Sequence, residues 1–191
     1  MADLQKPALK PLTPLGHDAP QGVTIGPVTI AENLDFALAS LASRLGRESE
    51  VAAIAKAQAI PLPGPGKAEA AQTYGAFWLG PEQWMVMAPH ASHEDIVALL
   101  KPLFGETASL TEQTDAWVRF DVRAPDLARL FERLCNFDLR RNGPGSATRT
   151  VIEHLGCTIL HRSDTEVAVI GPRSSAQGLH HALITAAKSV F

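Results

Sequence analysis

The sequence has little of what several common functional classes require. Its 191 residues carry 17 Lys and Arg against 20 Asp and Glu, a formal net charge of -3. So small an excess creates no positive field for a nucleic acid backbone or an anionic membrane. No apolar run is long enough to span a bilayer, and the N-terminus lacks the apolar stretch of a secretory signal. We therefore expect neither nucleic acid nor membrane as a partner.

The sequence also gives no evidence of a metal site or of a reactive cysteine. Cys135 and Cys157 are the two cysteines, and neither has a neighbour at CxxC spacing. Two thiols make no disulfide framework and stay reduced in an ordinary reducing compartment, so we expect a cytoplasmic location and a small buried thiol at Cys135. His90 and His93 share one helix start, but a metal needs three or four ligands, and we expect none.

Sequence motifs for nucleotide binding and nucleophilic catalysis are absent. There is no GxGxxG, no Walker loop and no GxSxG. The segments 64–66 and 143–145 are Gly-Pro-Gly, and proline lacks the N–H that a phosphate would bind, so we interpret them as structural turns. Four carboxylates are scattered over different predicted elements and favour caps or surface charges: Asp115, Asp121, Asp126 and Asp138. We predict no catalytic residue.

Aromatic residues are few, and the three tryptophans therefore stand out. Trp78 and Trp84 flank the Gly80-Pro81 turn, and Trp117 lies on a predicted strand. They either pack in the core or anchor an interface with a partner. Arg149 is near the 143–146 loop and is either a salt-bridge partner or an anion contact. We take Trp78, Trp84, Trp117 and Arg149 as interface candidates.

The 46% hydrophobic fraction includes 29 alanines, which add helix propensity more than buried area. Residues 1–22 contain Pro7, Pro11, Pro14 and Pro20, which exclude regular secondary structure. We expect an extended arm that either stays mobile or lies along another surface. Residues 23–191 are then expected to form a single domain of two pseudo-repeats, about 36–104 and 112–191.

The pseudo-repeats come from self-similarity of the chain. Residues 76–100 align with residues 159–183 at a constant offset of 83, which places Met85–Pro89 over Ala168–Pro172. Upstream, Val51, Ile54 and Ala55 align with Leu127, Leu130 and Phe131 at an offset of 76, and residues 64–66 align with residues 143–145 at an offset of 79. Three stretches therefore agree in the same order, in hydrophobic pattern and in Gly/Pro placement.

Periodicity predicts the same elements in both halves. The first half has a strand at 36–44, a helix at 48–59, a break at 61–66, a hairpin at 73–79 and 84–88, and a helix at 92–104. The second has a strand at 116–123, a helix from Pro125 to about Cys135, a hairpin at 150–161 and 166–170, and a last helix from Gly171-Pro172. Extra strands are expected at 23–30 and 107–111.

The predicted fold class is α+β, with two tandem βαββα ferredoxin-like halves and helices on one face of each sheet. The other sheet faces need burial, either against each other or against another protein.

Several short motifs resemble the gamma subunit of bacterial heterotetrameric sarcosine oxidase. Residues 79–84, Leu-Gly-Pro-Glu-Gln-Trp, resemble that family's GP(D/E)-x-W turn, with Met85 where we expect leucine. Residues 134–139 resemble its L-x-C-x-x-D-L-type segment, Arg149-Thr150 its Arg-Thr pair before a strand, and Ser174–Ala176 with Leu179 its last helix. The resemblance runs in order from about residue 23 to residue 189.

The resemblance implies a flavin-free chain with a fold similar to the folate-binding domain of glycine-cleavage aminomethyltransferases. In the family, sarcosine is oxidised to glycine with formation of hydrogen peroxide, and a one-carbon unit passes to tetrahydrofolate. The complex would carry FAD, FMN, NAD and tetrahydrofolate on other subunits. The implied partners are the alpha, beta and delta subunits, chiefly alpha, and the implied role is non-catalytic support of the assembly.

Two alternatives remain open. One is a stand-alone tetrahydrofolate-binding protein that uses the space between the halves, with Asp115 or Asp138 facing the pterin. The other is a gamma-like subunit of a related oxidase or dehydrogenase acting on another N-methyl amino acid.

Overall fold

Two antiparallel sheets, each with helices on one face, make up the computed structural model, which describes residues 10–191. The strands are β1 (Gly22–Ile25), β2 (Val28–Asn33), β3 (Ala37–Ser43), β4 (Ala68–Ala70), β5 (Gly75–Gly80), β6 (Gln83–Ala88), β7 (Ala108–Glu112), β8 (Trp117–Arg123), β9 (Ala147–Ile152), β10 (Leu155–Ser163) and β11 (Glu166–Pro172). The helices are α1 (Glu48–Ala57), α2 (His90–His93), α3 (Ile96–Phe104), α4 (Leu127–Phe131) and α5 (Ala176–Val190).

The strand order repeats between the sheets. The first sheet runs β4-β5-β6-β3-β7 and the second β1-β2-β8-β11-β10-β9. Strands β5-β6-β3-β7 and β10-β11-β8-β2 therefore have the same arrangement, that of a split ferredoxin-like unit. In the second sheet, β2 takes the place that β7 has in the first, although β2 comes from the start of the chain. The predicted fold class is confirmed.

Each half nevertheless has one more strand than predicted. The segment 150–161 is not one strand, because the chain reverses at Glu153, whose φ is 52°, and so separates β9 from β10. The short β4 is the counterpart of β9 in the first half. Each half is therefore βαβββα, and the predicted βαββα was incomplete. The segment 23–30 is likewise two strands, joined at Gly26 with φ 52°.

Two helices also differ from their predicted bounds. The helix predicted at 92–104 divides into α2 and α3, because the Asp95 carboxylate accepts the Ala98 N–H at 3.0 Å and starts a new helix. The helix predicted from Pro125 to Cys135 begins after Asp126, whose carboxylate accepts the Arg129 N–H at 3.1 Å. It ends at Phe131, after which the chain continues in turns.

Three apolar cores hold these layers. One lies between the second sheet and its helices, and one between the first sheet and its helices. The third lies between the sheets, so the faces without helices pack against each other. It contains Phe36, Leu38, Phe77 and Met85 from the first half and Ala147, Leu160, Ala168 and Ile170 from the second. Of the two options for burying these faces, the structure uses contact between the halves.

The two Gly-Pro-Gly loops meet where the halves join. The Ala68 N–H donates to the Gly145 carbonyl at 2.9 Å, and the Ala147 N–H donates to the Gly66 carbonyl at 2.9 Å. Lys67 and Ser146 form the bridge between these two bonds. Because the repeat relates each of these residues to its partner at offset 79, the loops are related by a local two-fold axis. They serve as turns and as a sheet-to-sheet contact.

Residues 10–21 lie against the second half. Leu15 is only 6% exposed, and its N–H donates to Glu32 Oε1 at 3.0 Å. The Gln21 N–H donates to Glu32 Oε2 at 3.1 Å. Arg173 Nη2 donates to the Leu12 carbonyl at 2.8 Å. This part of the proline-rich segment thus has a fixed place on the chain's own surface; residues 1–9 of the predicted arm lie outside the described residues.

Candidate functional site

A cavity of about 460 Å³ opens between the two sheets, beside the paired loops. Its wall includes Phe36 before β3, Tyr74 before β5, Met87 of β6, Arg119 of β8 and Leu160 of β10. Both halves therefore contribute, and the volume is within the range typical of small-molecule sites. The mixture of apolar walls and one buried cation makes this cavity the candidate site.

Arg119 is the distinctive residue of the cavity. On β8, the residues Val118, Phe120 and Val122 belong to the core beneath the helices, so Arg119 and Asp121 face the other sheet. The Arg119 side chain is only 10% exposed, and its Nε lies 2.7 Å from Asp121 Oδ1. A buried cation needs such a partner, because desolvation of an unpaired charge is costly.

The network around Arg119 is incomplete. Asp121 uses both oxygens, since its Oδ2 accepts Asn33 Nδ2 at 2.7 Å. Arg119 Nη2, in contrast, is buried and has no hydrogen-bond partner among the described residues. The guanidinium carbon lies 5.9 Å from the centre of the Phe36 ring, a cation–π contact. A buried donor without a partner costs about 1–3 kcal/mol, which a ligand oxygen would recover.

The cavity rim carries charges of both signs. Asp35 and Glu69 are its acidic residues, and Arg162 adds a second cation. Arg162 is engaged, because its Nη1 lies 3.3 Å from Glu166 Oε1. His161 is buried, and its Nδ1 donates to the Asn142 carbonyl at 2.6 Å, which fixes the ring. The arrangement suits binding of a small polar or zwitterionic molecule.

The carboxylates expected to face a pterin lie elsewhere. The Asp115 side chain is 97% exposed and lies 3.8 Å from Arg173 Nη1, on another surface. The Asp138 carboxylate bonds to its own loop, since its Oδ1 accepts the Arg140 and Arg141 N–H groups at 2.9 and 3.2 Å. Neither residue lines the cavity between the halves, so this expectation is corrected: Asp35 and Glu69 are the carboxylates found there.

The cysteines offer no activated nucleophile. Burial raises the pKa of Cys157 to about 11, and burial also raises the pKa of Cys135. Thiols with raised pKa values are poor nucleophiles at neutral pH because the thiolate is the reactive form. Ser92 Oγ lies 2.8 Å from His93 Nδ1, but this pair is exposed on α2.

The four interface candidates have different positions. Trp84 is 8% exposed, and its indole N–H donates to the Pro63 carbonyl at 2.9 Å. It belongs to the core between the first sheet and its helices. We therefore no longer expect Trp84 to anchor a partner. Trp78 is partly buried beside the same core, and Trp117 beside the layer between the sheets. Arg149 is exposed on β9.

Two further features are absent from residues 10–191. No grouping of three His, Cys, Asp or Glu side chains there could hold a metal ion. None of the helices described is both long and apolar enough to cross a bilayer.

Sequence reasoning missed the role of Arg119. A signal was present: in Ala116–Arg123 the charged residues Arg119 and Asp121 share one parity with Trp117, and apolar residues occupy the other. A strand with helices on one face and a second sheet on the other buries both parities. Its charged pair therefore had to be buried, and the sequence alone did not reveal which surface would cover it.

Comparison with known proteins gives likenesses of structure. No family model matches the chain, and no curated protein matches its sequence. A chain of the heterotetrameric sarcosine oxidase from Corynebacterium sp. U-96, solved with pyrrole 2-carboxylate, is similar at TM-score 0.76 and 19% identity, over 88% of this chain and 87% of that chain. Aminomethyltransferase T of the Bartonella henselae glycine cleavage system is similar at TM-score 0.59 and 11% identity, over 80% of this chain and 44% of that chain. The chain shares the fold of both proteins, and the resemblance found in the sequence is confirmed as a likeness of fold.

Proposed function

We propose that this chain is the non-catalytic gamma subunit of a heterotetrameric sarcosine oxidase. The observation that carries the proposal is the two-way coverage of the sarcosine oxidase chain, 88% of this chain and 87% of the other. The aminomethyltransferase, by contrast, is matched over 44% of its length. The chain is thus similar to a whole small chain of a multi-subunit oxidase and to part of the transferase.

The chemistry of the described residues favours a structural role in the assembly. The pKa values of both cysteine thiols are raised, and the buried cation, Arg119, is paired with Asp121. In this proposal, FAD, FMN, NAD and tetrahydrofolate are held by other subunits. This chain supplies contact surface, chiefly to the alpha subunit, in an assembly that converts sarcosine to glycine with hydrogen peroxide and a one-carbon unit for tetrahydrofolate.

The exposed apolar surface of the first half is available for this contact. Leu45 is 98% exposed and Leu79 is 40% exposed, and Leu79 lies on the β5–β6 hairpin beside Trp78. Large exposed apolar side chains are enriched at protein contacts, which makes Leu45 and Leu79 candidates for this surface. Trp117 and Arg149 are the further candidates in the second half.

Expression of the chain alone and with its partners tests the proposal. The isolated chain is expected to show no flavin absorbance and no hydrogen peroxide production from sarcosine. Co-expression with the three other subunits is expected to give one heterotetramer that produces hydrogen peroxide from sarcosine. Oxidase activity of the isolated chain, or an active complex of unchanged stability that forms without it, would contradict the proposal.

The same preparation addresses the substrate. Rates with sarcosine are compared with those of other N-methyl amino acids, each coupled either to hydrogen peroxide formation or to reduction of an artificial electron acceptor. A higher kcat/KM for another N-methyl amino acid would assign the chain to a related oxidase. Turnover with the acceptor but without hydrogen peroxide would assign it to a dehydrogenase.

The cavity favours a second candidate function, tetrahydrofolate binding by the chain itself. Arg119 Nη2 lacks a partner in the part of the chain that the structure describes, and Phe36 and Tyr74 supply aromatic walls. Calorimetric titration of the isolated chain with tetrahydrofolate tests this, with Tyr74→Ala as the variant that removes a wall. Saturable binding that Tyr74→Ala weakens about tenfold, the loss typical of one aromatic contact, would favour this function over pure support.

A further inference from the structure

The two sheets differ at one edge. In the second sheet β2 is covered by β1, which pairs with it at four positions from Gly22↔Ala31 to Ile25↔Val28. In the first sheet β7 holds the place of β2, but no described strand lies outside it. Within residues 10–191, the duplicated fold therefore leaves β7 as an uncovered edge, and the first sheet has one strand fewer than the second at this position.

Residue-by-residue equivalence follows from the registers. Glu32 pairs with Phe120 and Ile30 with Val122. Glu112 pairs with Ala39 and Leu110 with Leu41. In the neighbouring strands, Phe120 opposite Val169 matches Ala39 opposite Val86, at the repeat's offset of 83. Leu110 and Glu112 are thus the counterparts of Ile30 and Glu32.

The N–H and C=O groups at the free edge of β7 correspond to the groups of β2 that bond to β1. The Glu32 N–H donates to the Gln21 carbonyl at 2.7 Å, away from β8. In the first sheet, the Gln113 N–H donates to the Leu38 carbonyl, and the Arg44 N–H donates to the Thr107 carbonyl, each at 2.9 Å. Because antiparallel pairs alternate, odd-numbered residues of β7 bond to β3, and the N–H and C=O groups of residues 108, 110 and 112 face outward.

This edge lacks the usual protection. Natural proteins place Lys, Pro or a bulge on exposed edge strands to prevent pairing. The sequence of β7, Ala-Ser-Leu-Thr-Glu, contains neither Lys nor Pro, and its pairing with β3 is regular. The Glu112 carboxylate is turned back along its own chain, where it accepts the Thr114 N–H at 3.0 Å. The edge is therefore open to a further strand.

We propose that an extended segment of a partner chain of the assembly adds to β7 as an antiparallel strand. The segment occupies the place that β1 has in the second half, and this inference rests on the proposed function. Val23 and Ile25 of β1 are partly buried and pack against the core between the second sheet and its helices. The partner segment is accordingly one with apolar residues at alternate positions, facing the core beneath α3, and polar residues between them.

Hydrogen exchange on the affinity-purified assembly tests the pairing. The peptide spanning residues 106–113 is compared in the isolated full chain and in the complex isolated from its host. Pairing is expected to slow exchange of the outward amides of Leu110 and Glu112 by about a hundredfold or more, as in a closed sheet. The peptide spanning residues 22–27, from the β1 edge of the second sheet, is the reference and is expected to change less.

Two proline variants give an independent readout. Leu110→Pro removes an outward N–H of β7, and Thr24→Pro removes one of β1, since the Glu32 N–H bonds to the Gln21 carbonyl and the same alternation applies. Leu110→Pro is expected to reduce recovery of the partner chain at least tenfold, whereas Thr24→Pro is expected to retain it. Circular dichroism and urea midpoints of both variants report whether each remains folded.

The outcomes distinguish a partner strand on β7 from a second copy of the chain and from an edge that stays unpaired. A complex in which residues 106–113 exchange as in the isolated chain overturns the strand pairing and leaves the proposed function standing. Protection of these residues in a homodimer assigns the edge to a second copy and overturns the partner. Recovery of the chain with no other subunit overturns both this inference and the proposed function.

Discussion

Gly171 has no room for a side chain. A Cβ there would lie 2.6 Å from Leu179 Cδ2 and 3.4 Å from Cys157 Sγ, where β11 passes under α5. Gly171→Ala is therefore expected to lower the free energy of unfolding by about 1–3 kcal/mol, the usual cost of overpacking a core. Urea denaturation followed by circular dichroism measures the change.

Gly156, on the neighbouring strand β10, is the matched control. A Cβ at this position meets nothing within 4 Å, and its φ is not in the left-handed region. Gly156→Ala is expected to be neutral or stabilising by a few tenths of a kcal/mol, since it restricts the unfolded chain. Equal losses in the two variants would contradict the packing described for α5.

His180 gives stability a dependence on pH. Its ring stacks on Phe120 with centres 5.2 Å apart, and its Nε2 is buried with no hydrogen-bond partner within residues 10–191. Burial lowers the pKa of His180 from its ordinary 6.5, and the nearby Glu32 carboxylate opposes this shift. Below pH 6.5 the unfolded chain binds the proton more readily than the folded one, so stability is full above pH 6.5 and falls as the pH drops.

Urea midpoints at about pH 7.5 and pH 5.5, either side of the ordinary histidine pKa, measure this loss. His180→Phe keeps a ring against Phe120 and is expected to reduce the fall in midpoint, whereas His181→Gln, on the exposed side of α5, is expected to keep it. An identical fall in all three proteins would refute the role of His180.

Among the elements, the segment before β1 depends on one side chain. Glu32 accepts the N–H groups of Leu15 and Gln21, one on each oxygen. Glu32→Gln replaces one acceptor oxygen by an amide, so either the buried Leu15 N–H or the partly buried Gln21 N–H loses its partner, at a cost of about 1–3 kcal/mol. We expect residues 11–21 to exchange amide hydrogens faster in this variant, as measured by mass spectrometry. Glu50→Gln, an exposed change on α1 of the first half, should leave exchange there as in the wild type.

The elements also show how far the sequence determines the structure. Alternation in Ala116–Arg123 and the spacing of Leu127, Leu130 and Phe131 predicted β8 and α4, because burial on one side imposes those periods. The reversal at Glu153 was missed, since a non-glycine residue with positive φ gives no turn signal. The division of 92–104 was missed although Asp95 is a good cap, because the apolar period runs on through it.

The candidate cavity could not be predicted in the same way. Phe36, Tyr74, Arg119 and Leu160 belong to separate elements, and their proximity depends on how the two sheets pack. Local patterns fix which face of a strand is buried but not which surface covers it.

At the scale of the molecule, the paired loops make a test of the duplication. Gly66 and Gly145 have φ values of 70° and 84°, and a Cβ on them would lie 3.8 and 3.7 Å from the Ala147 and Ala68 carbonyl oxygens. Gly66→Ala and Gly145→Ala each force alanine into the left-handed region, at about 1 kcal/mol. We expect equal losses in urea denaturation and one shared transition. Losses that differ severalfold would contradict the local two-fold relation, as would separate transitions for the two halves.

The pairing of β2 with β8 has a consequence for synthesis of the chain. Asn33 bonds to Asp121 across 88 residues, so the hairpin of β1 and β2 leaves the ribosome long before its sheet neighbour exists. The strands of the first sheet pair only with one another, so the first half can fold during this time. Val28 and Ile30 remain exposed to solvent until β8 and α5 have been synthesised. We expect the nascent chain to need chaperone protection during that interval, and to fold slowly at its last step because this pairing joins segments far apart in sequence.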